Sequence, residues 1–178
     1  RPRLRGRHEA LQVGQPPEVR EVGQRAVFAM RGAVHRADLL QRQDATGIAT
    51  SARAIAALIE HEIARGIPAE RIVLAGFSQG CAMALHTGLR LSFSLAGIMA
   101  LSGYLPLADR FAVERMEANA RTPVFMAHGT MDPVVVLQRG EDSRNALAAM
   151  GHPVQWHTYP MQHSVHPREV ADISAFLT

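Results

Sequence analysis

The chain has 178 residues, 47% of them hydrophobic, and a formal net charge of +3, which places it among soluble globular proteins with room for one domain and a real core. No apolar run approaches the ~20 residues that span a membrane, and the start, Arg1-Pro2-Arg3-Leu4-Arg5, has neither an initiator Met nor an apolar leader. Cys81 is the single cysteine, which excludes an internal disulfide and suits a reducing cytoplasm.

Charge and organisation divide the chain. All basic residues are Arg, and residues 1–45 carry nine of them against five acids, while the rest is nearly neutral. A basic arm of this kind suits an anionic partner. It lacks aromatic interleaving and any recognisable nucleic-acid module, so nucleic acid is not expected. A non-catalytic binding module with a basic arm stays open as a third reading of the chain. Within 1–43 only Arg25-Ala26-Val27-Phe28-Ala29-Met30 reads as a strand, and Gln15-Pro16-Pro17 breaks what precedes it.

From Asp44 the pattern is regular. Residues 46–65 carry Ile48, Ala52, Ile55, Ala56, Ile59 and Ile63 on one helical face, and Gly66 and Pro68 stop the helix. Strands are predicted over 71–77, 95–101, 122–127 and 154–159. Helices are predicted over 79–90, 109–120, 137–150 and 167–177. Strands alternating with helices imply a mainly parallel sheet with right-handed crossovers, covered on both faces: an α/β three-layer sandwich. Chemistry in such sheets gathers at the C-terminal ends of the strands.

Gly76-Phe77-Ser78-Gln79-Gly80 stands at one of those ends, after the apolar run Ile72-Val73-Leu74-Ala75 and before a helix. A G-x-S-x-G in a strand–turn–helix setting holds a serine hydroxyl out on a sharp, strained turn, where helix N–H groups can stabilise an oxyanion. The plainer reading is a glycine-rich turn with a helix-capping serine. Two further strands end at His128-Gly129-Thr130-Met131-Asp132-Pro133 and at Pro160-Met161-Gln162-His163. The order Ser78, Asp132, His163 is the chain order of a triad on an α/β-hydrolase sheet. Asp132 before Pro133 could instead simply open a turn. His166 is the nearest rival to His163 and reads as a helix-entry residue, and His157 lies within a strand. A metal site built from Asp132, His163 and His166 has no supporting signature, so neither metal nor cofactor is expected. Cys81 reads as a small packing residue, with a second nucleophile as the alternative.

These segments, together with Leu101-Ser102-Gly103-Tyr104-Leu105-Pro106 and Tyr159-Pro160-Met161-Gln162-His163, resemble the small carboxylesterase/acyl-protein thioesterase family, also called the phospholipase/carboxylesterase family. The resemblance covers about residues 44–178. It implies an α/β-hydrolase fold without a large lid, acting on small-molecule esters or thioesters and extending to acylated proteins or lysophospholipids. The homodimer is left open. Ser78 is implied as nucleophile, Asp132 as acid and His163 as base. The backbone N–H of Gln79 is the expected oxyanion donor. Tyr104, Leu105, Met131 and Val134 are candidates to line the acyl site, with ordinary loop packing as the alternative.

One part of the family pattern is missing. No His-Gly-Leu-Gly-type loop, the family's source of a second oxyanion N–H, stands before Ser78, since neither His8 nor His35 is followed by Gly. The Arg-rich text joins abruptly to the family-like sequence, as an out-of-frame or replaced N-terminus would. The expectation is that residues 1–43 are poorly ordered or add at most one irregular strand. The sheet edge would then lie open and the oxyanion hole be half built. A weakly active or inactive family remnant is therefore the second reading beside an active esterase.

Overall fold

A computed structural model of the chain describes residues 18–22, 25–30 and 45–178, the first two segments through their backbone alone. Its elements in chain order are β1 (Glu18–Val22), β2 (Arg25–Met30), α1 (Ala45–Ala64), β3 (Ile72–Phe77), α2 (Gln79–Gly88), β4 (Gly97–Leu101), α3 (Ala108–Glu114), β5 (Val124–Gly129), α4 (Leu137–Ala149), β6 (Val154–Tyr159) and α5 (Pro167–Leu177). Short 3₁₀ turns lie at Ala69–Arg71 and Glu117–Asn119. The strands form one sheet in the order β1-β2-β3-β4-β5-β6. Pairing is parallel from β2 to β6, and β1 alone runs antiparallel to its neighbour.

Side-chain alternation along the strands divides the interior in two. Ile72, Leu74, Ile98, Ala100, Val124 and Met126 face a larger core completed by Ile55 and Ile59 of α1, the body of α2, Phe111 of α3 and Leu147 of α4. Val73, Ala75, Met99, Phe125 and Ala127 face a smaller core closed by Ile173, Phe176 and Leu177 of α5. Helices on both faces of a sheet make the three-layer α/β arrangement. Every residue of α2 from Gly80 to Gly88 is buried, as expected of a helix wedged between the sheet and α1. Among the described residues no helix is long and apolar enough to cross a membrane.

The N-terminal expectation needs correction. Two strands, not at most one, stand within residues 1–43. β2 coincides with the predicted strand and pairs with β3 from Ala26↔Ile72 to Met30↔Gly76, so the edge of β3 is not open. β1 was missed because Glu18-Val19-Arg20-Glu21-Val22 carries three charges and no apolar run. Charge is how edge strands resist pairing with other chains, and backbone bonding to β2 holds this one. The Gly23-Gln24 pair between the two strands was the legible signal, because Gly-X favours two-residue hairpins. The remainder of 1–43, including the order expected of it, lies outside the described residues.

Several element boundaries shift by one or two residues, and two shifts have a visible cause. The helix predicted over 109–120 stops at Glu114. Asn119 is fully buried, and its amide donates to the carbonyls of Leu91 and Phe93 at 2.8 Å each. Its Oδ1 accepts from Leu95 N and from the Thr122 hydroxyl. Tying down the α2–β4 loop in this way outweighs helix propensity. β5 runs on through His128 and Gly129, which pair with Thr158 and Tyr159.

Candidate active site

The glycines around Ser78 are a steric requirement. A Cβ on Gly76 would stand 2.0 Å from the Gly80 carbonyl oxygen and 2.6 Å from Cys81 N. Strand and helix can cross this closely only if residue 76 lacks a side chain. Ser78 takes φ 56°, ψ −117°, a conformation that L-residues rarely adopt and that concentrates at functional sites. Its N–H donates to Leu101 O at 2.8 Å, and its hydroxyl makes no capping bond to α2, so the helix-capping alternative fails. At the end of the neighbouring strand Ser102 also has positive φ, 48°. Gln79 is the first residue of α2, where a backbone N–H has no acceptor within the helix.

Asp132 follows β5 and its side chain has no exposed surface. Oδ1 accepts from Val134 N at 2.8 Å and Val135 N at 2.9 Å. Oδ2 accepts from His163 Nδ1 at 2.7 Å. The residue thus opens a turn and also holds an imidazole. Because a carboxylate only accepts, Nδ1 of His163 carries the proton and Nε2 is the basic nitrogen of the neutral ring. The His163 ring packs at 4.8 Å on Phe77, the residue before Ser78. Among the described residues no hydrogen bond joins Ser78 Oγ to His163.

Backbone bonds bind the Asp132 and His163 loops to each other. Thr130 N donates to Tyr159 O and Met131 N to Met161 O. Gly129 permits the approach, because a Cβ there would come within 2.4 Å of the carbonyl oxygens of Met161 and Gln162.

The other candidates fall into place around this edge. His166 caps α5 in a capping box, its Nδ1 accepting from Arg168 N while its own N–H donates to Glu169. His157 stays in β6, stacked on Phe125 at 5.0 Å. Cys81 is fully buried, and burial pushes its thiol up from the ordinary range, which disfavours the thiolate an attack requires. Of the acyl-lining candidates, Met131 and Val134 are exposed and Leu105 is in the larger core. Tyr104 lies under the Arg139 guanidinium at 4.1 Å. Among the described residues no three His, Cys, Asp or Glu side chains gather as metal ligands. A cavity of about 340 Å³ lined by Ala96, Pro123, His157, Asp172 and Phe176 belongs to the α5 face and the opposite end of the strands. The segment that follows β2 towards α1, where a second oxyanion donor would be sought, lies outside the described residues. The sequence pattern assigns no role to His128, which is fully buried beside Asp132.

A mainly parallel sheet with a strained serine after β3 and an Asp–His pair on the loops after β5 and β6 defines an α/β-hydrolase frame. The phospholipase/carboxylesterase family model matches residues 28–178, and the chain belongs to that family. It is similar to acyl-protein thioesterase 1 of Neurospora crassa, 48% identical over 155 residues that cover 85% of this chain and 62% of the relative. It is also similar to acyl-protein thioesterase 1 of Gibberella zeae, 46% identical over 78% of this chain and 60% of the relative. Among solved structures, Arabidopsis thaliana SOBER1 superposes with a TM-score of 0.74 at 27% identity, over 79% of this chain and 67% of that one. Esterase PE8 superposes with 0.71 at 30% identity, over 78% and 66%. The chain therefore spans about three fifths of the length of these curated relatives.

Proposed function

We propose that the chain is a serine hydrolase that cleaves carboxylic esters or thioesters through an acyl-serine intermediate. The observation that carries this is the 2.7 Å Asp132–His163 bond, at the same sheet edge as the strained, non-capping Ser78. A serine hydroxyl is a weak nucleophile at neutral pH. His163 Nε2 takes its proton as Oγ attacks the carbonyl carbon. Asp132 holds the tautomer and stabilises the imidazolium. The Gln79 N–H donates to the oxyanion. The imidazolium then returns the proton to the departing alcohol or thiol, and water, activated by the same imidazole, releases the acid.

The acyl-protein thioesterases among the relatives favour S-acylated protein as substrate, with lysophospholipid as the lipid alternative. Single, buried Cys81 suits action in the cytoplasm, and a homodimer is the assembly to test by light scattering. A weakened remnant is the second reading, favoured by the lack of a His-Gly-Leu-Gly-type segment between the first residues given and Ser78. A missing oxyanion donor costs ~10²–10³ in turnover. Hydrolysis of a short-chain p-nitrophenyl ester and of an S-acyl peptide by wild type and Ser78→Ala tests both. Turnover lost in Ser78→Ala supports the hydrolase. Turnover present but about a hundredfold or more below that of a full-length relative supports the remnant. Equal rates in wild type and Ser78→Ala end the assignment.

A further inference from the structure

His128 is the penultimate residue of β5 and 1% exposed. Its Nε2 lies 2.8 Å from the Val135 carbonyl oxygen. A carbonyl can only accept, so Nε2 bears the hydrogen and donates. The same nitrogen is 3.6 Å from Asp132 Oδ2, the oxygen that holds His163. Val135 is therefore gripped at both ends of its peptide frame, its N–H by Asp132 Oδ1 and its C=O by His128. The Asp132 carboxylate lies between two imidazoles, bonded to one and near the N–H of the other.

The far side of the ring is fitted as closely. A Cβ on Gly140 of α4 would stand 2.6 Å from His128 Nδ1 and 2.9 Å from the Trp156 ring, and the two aromatic ring centres are 6.3 Å apart. Glycine inside a helix is unfavourable. Here it leaves the space the imidazole occupies.

We propose that His128 is a positioning residue for the acid of the triad. By donating to the Val135 carbonyl it fixes the 132–135 turn so that Asp132 Oδ2 meets His163 Nδ1. The inference rests on the triad reading above. It differs from a merely space-filling histidine in requiring the N–H and not only the shape. A misplacement of about 1 Å in a catalytic group costs on the order of a hundredfold in rate, and removing an orienting contact lowers kcat without weakening substrate binding.

The test compares His128→Phe, which keeps a flat ring without the donor, His128→Gln, whose amide N–H reaches a similar point, and Gly140→Ala, which drives a methyl against the ring. Asp132→Asn and Ser78→Ala serve as controls. Each is measured for kcat and KM on p-nitrophenyl butyrate, for thermal midpoint, and for the low-field proton resonance of the Asp132–His163 bond. His128→Phe is expected to lower kcat by about 10–100-fold with KM within about twofold, and to weaken the low-field resonance. His128→Gln should recover most of kcat, and Gly140→Ala should fall between them. Wild-type kcat in a folded His128→Phe overturns the proposal, as does a loss confined to KM or a His128→Gln no better than His128→Phe. If His128→Phe does not fold, wild-type kcat in Gly140→Ala overturns it equally. An active Ser78→Ala or Asp132→Asn sinks the triad reading instead. Inactive controls with a fully active His128→Phe sink only the role of His128. If wild type shows no turnover, the low-field resonance in wild type, His128→Phe and His128→Gln decides.

Discussion

Replacing Asp132 with Asn changes one atom and inverts one hydrogen bond. The Asn carbonyl oxygen can still accept from Val134 N and Val135 N, as Oδ1 does at 2.8 and 2.9 Å. Satisfying those two N–H groups forces the new NH₂ towards His163 Nδ1, where Oδ2 now accepts at 2.7 Å. Two donors cannot face each other, so the imidazole moves its hydrogen to Nε2 and presents a bare Nδ1. The nitrogen that should take the serine proton is then already protonated. A triad aspartate changed in this way loses about 10⁴ in kcat with its geometry intact, or about 5.4 kcal/mol of transition-state stabilisation. The fold should survive, because every hydrogen-bonding position of the side chain stays occupied. The assay is p-nitrophenyl butyrate turnover at neutral pH, with thermal unfolding of the same samples. A kcat within tenfold of wild type at an unchanged thermal midpoint would refute the reasoning and remove Asp132 from the mechanism.

Other outcomes follow from the same geometry. Gly76→Ala forces a methyl to within 2.0 Å of the Gly80 carbonyl, which only a backbone shift can relieve. It should cost about 3 kcal/mol, lower the thermal midpoint by about 6–12 °C and abolish turnover; a wild-type midpoint would contradict the close approach. His86 is pushed down from 6.5 to about 4, by burial first and then by the Arg90 charge. The folded state holds the neutral ring, so this stability is intact above pH 6.5 and lost as pH falls towards 4. Thermal scans across that window should show a steeper loss for wild type than for His86→Leu. Burial pushes the Glu169 carboxyl up instead and opposes this trend, so the difference between the two proteins is the readout. Cys81, buried and with its thiol pushed up, should resist a disulfide reagent at pH 8 until the protein is unfolded. Rapid labelling of the folded protein, with loss of activity, would reopen its candidacy.

The legible parts of the sequence were those where local pattern and tertiary demand agree. Apolar period and flanking Gly or Pro placed β3, α2, β6 and α5 within two residues, because each buries the face its sequence marks. The strained turn at Ser78 and the strand-end positions of Asp132 and His163 were readable because strand ends and G-x-S-x-G are local signals; their catalytic roles are the proposal. What stayed hidden was decided by partners distant in the chain. β1 exists through its pairing with β2, and α3 ends early because Asn119 bonds to carbonyls 26 and 28 residues away. His128 was in plain view, but its contacts with Val135 and Asp132 follow from a turn whose closure the spacing does not reveal.

The central claim is that Ser78 carries the acyl group. The direct measurement is mass-spectrometric peptide mapping after reaction with a fluorophosphonate, which traps an activated serine covalently. The account predicts a single adduct on the peptide that contains Ser78, absent from Ser78→Ala and strongly reduced in His163→Ala. An adduct on another residue, or ester turnover with Ser78 unmodified, would contradict it.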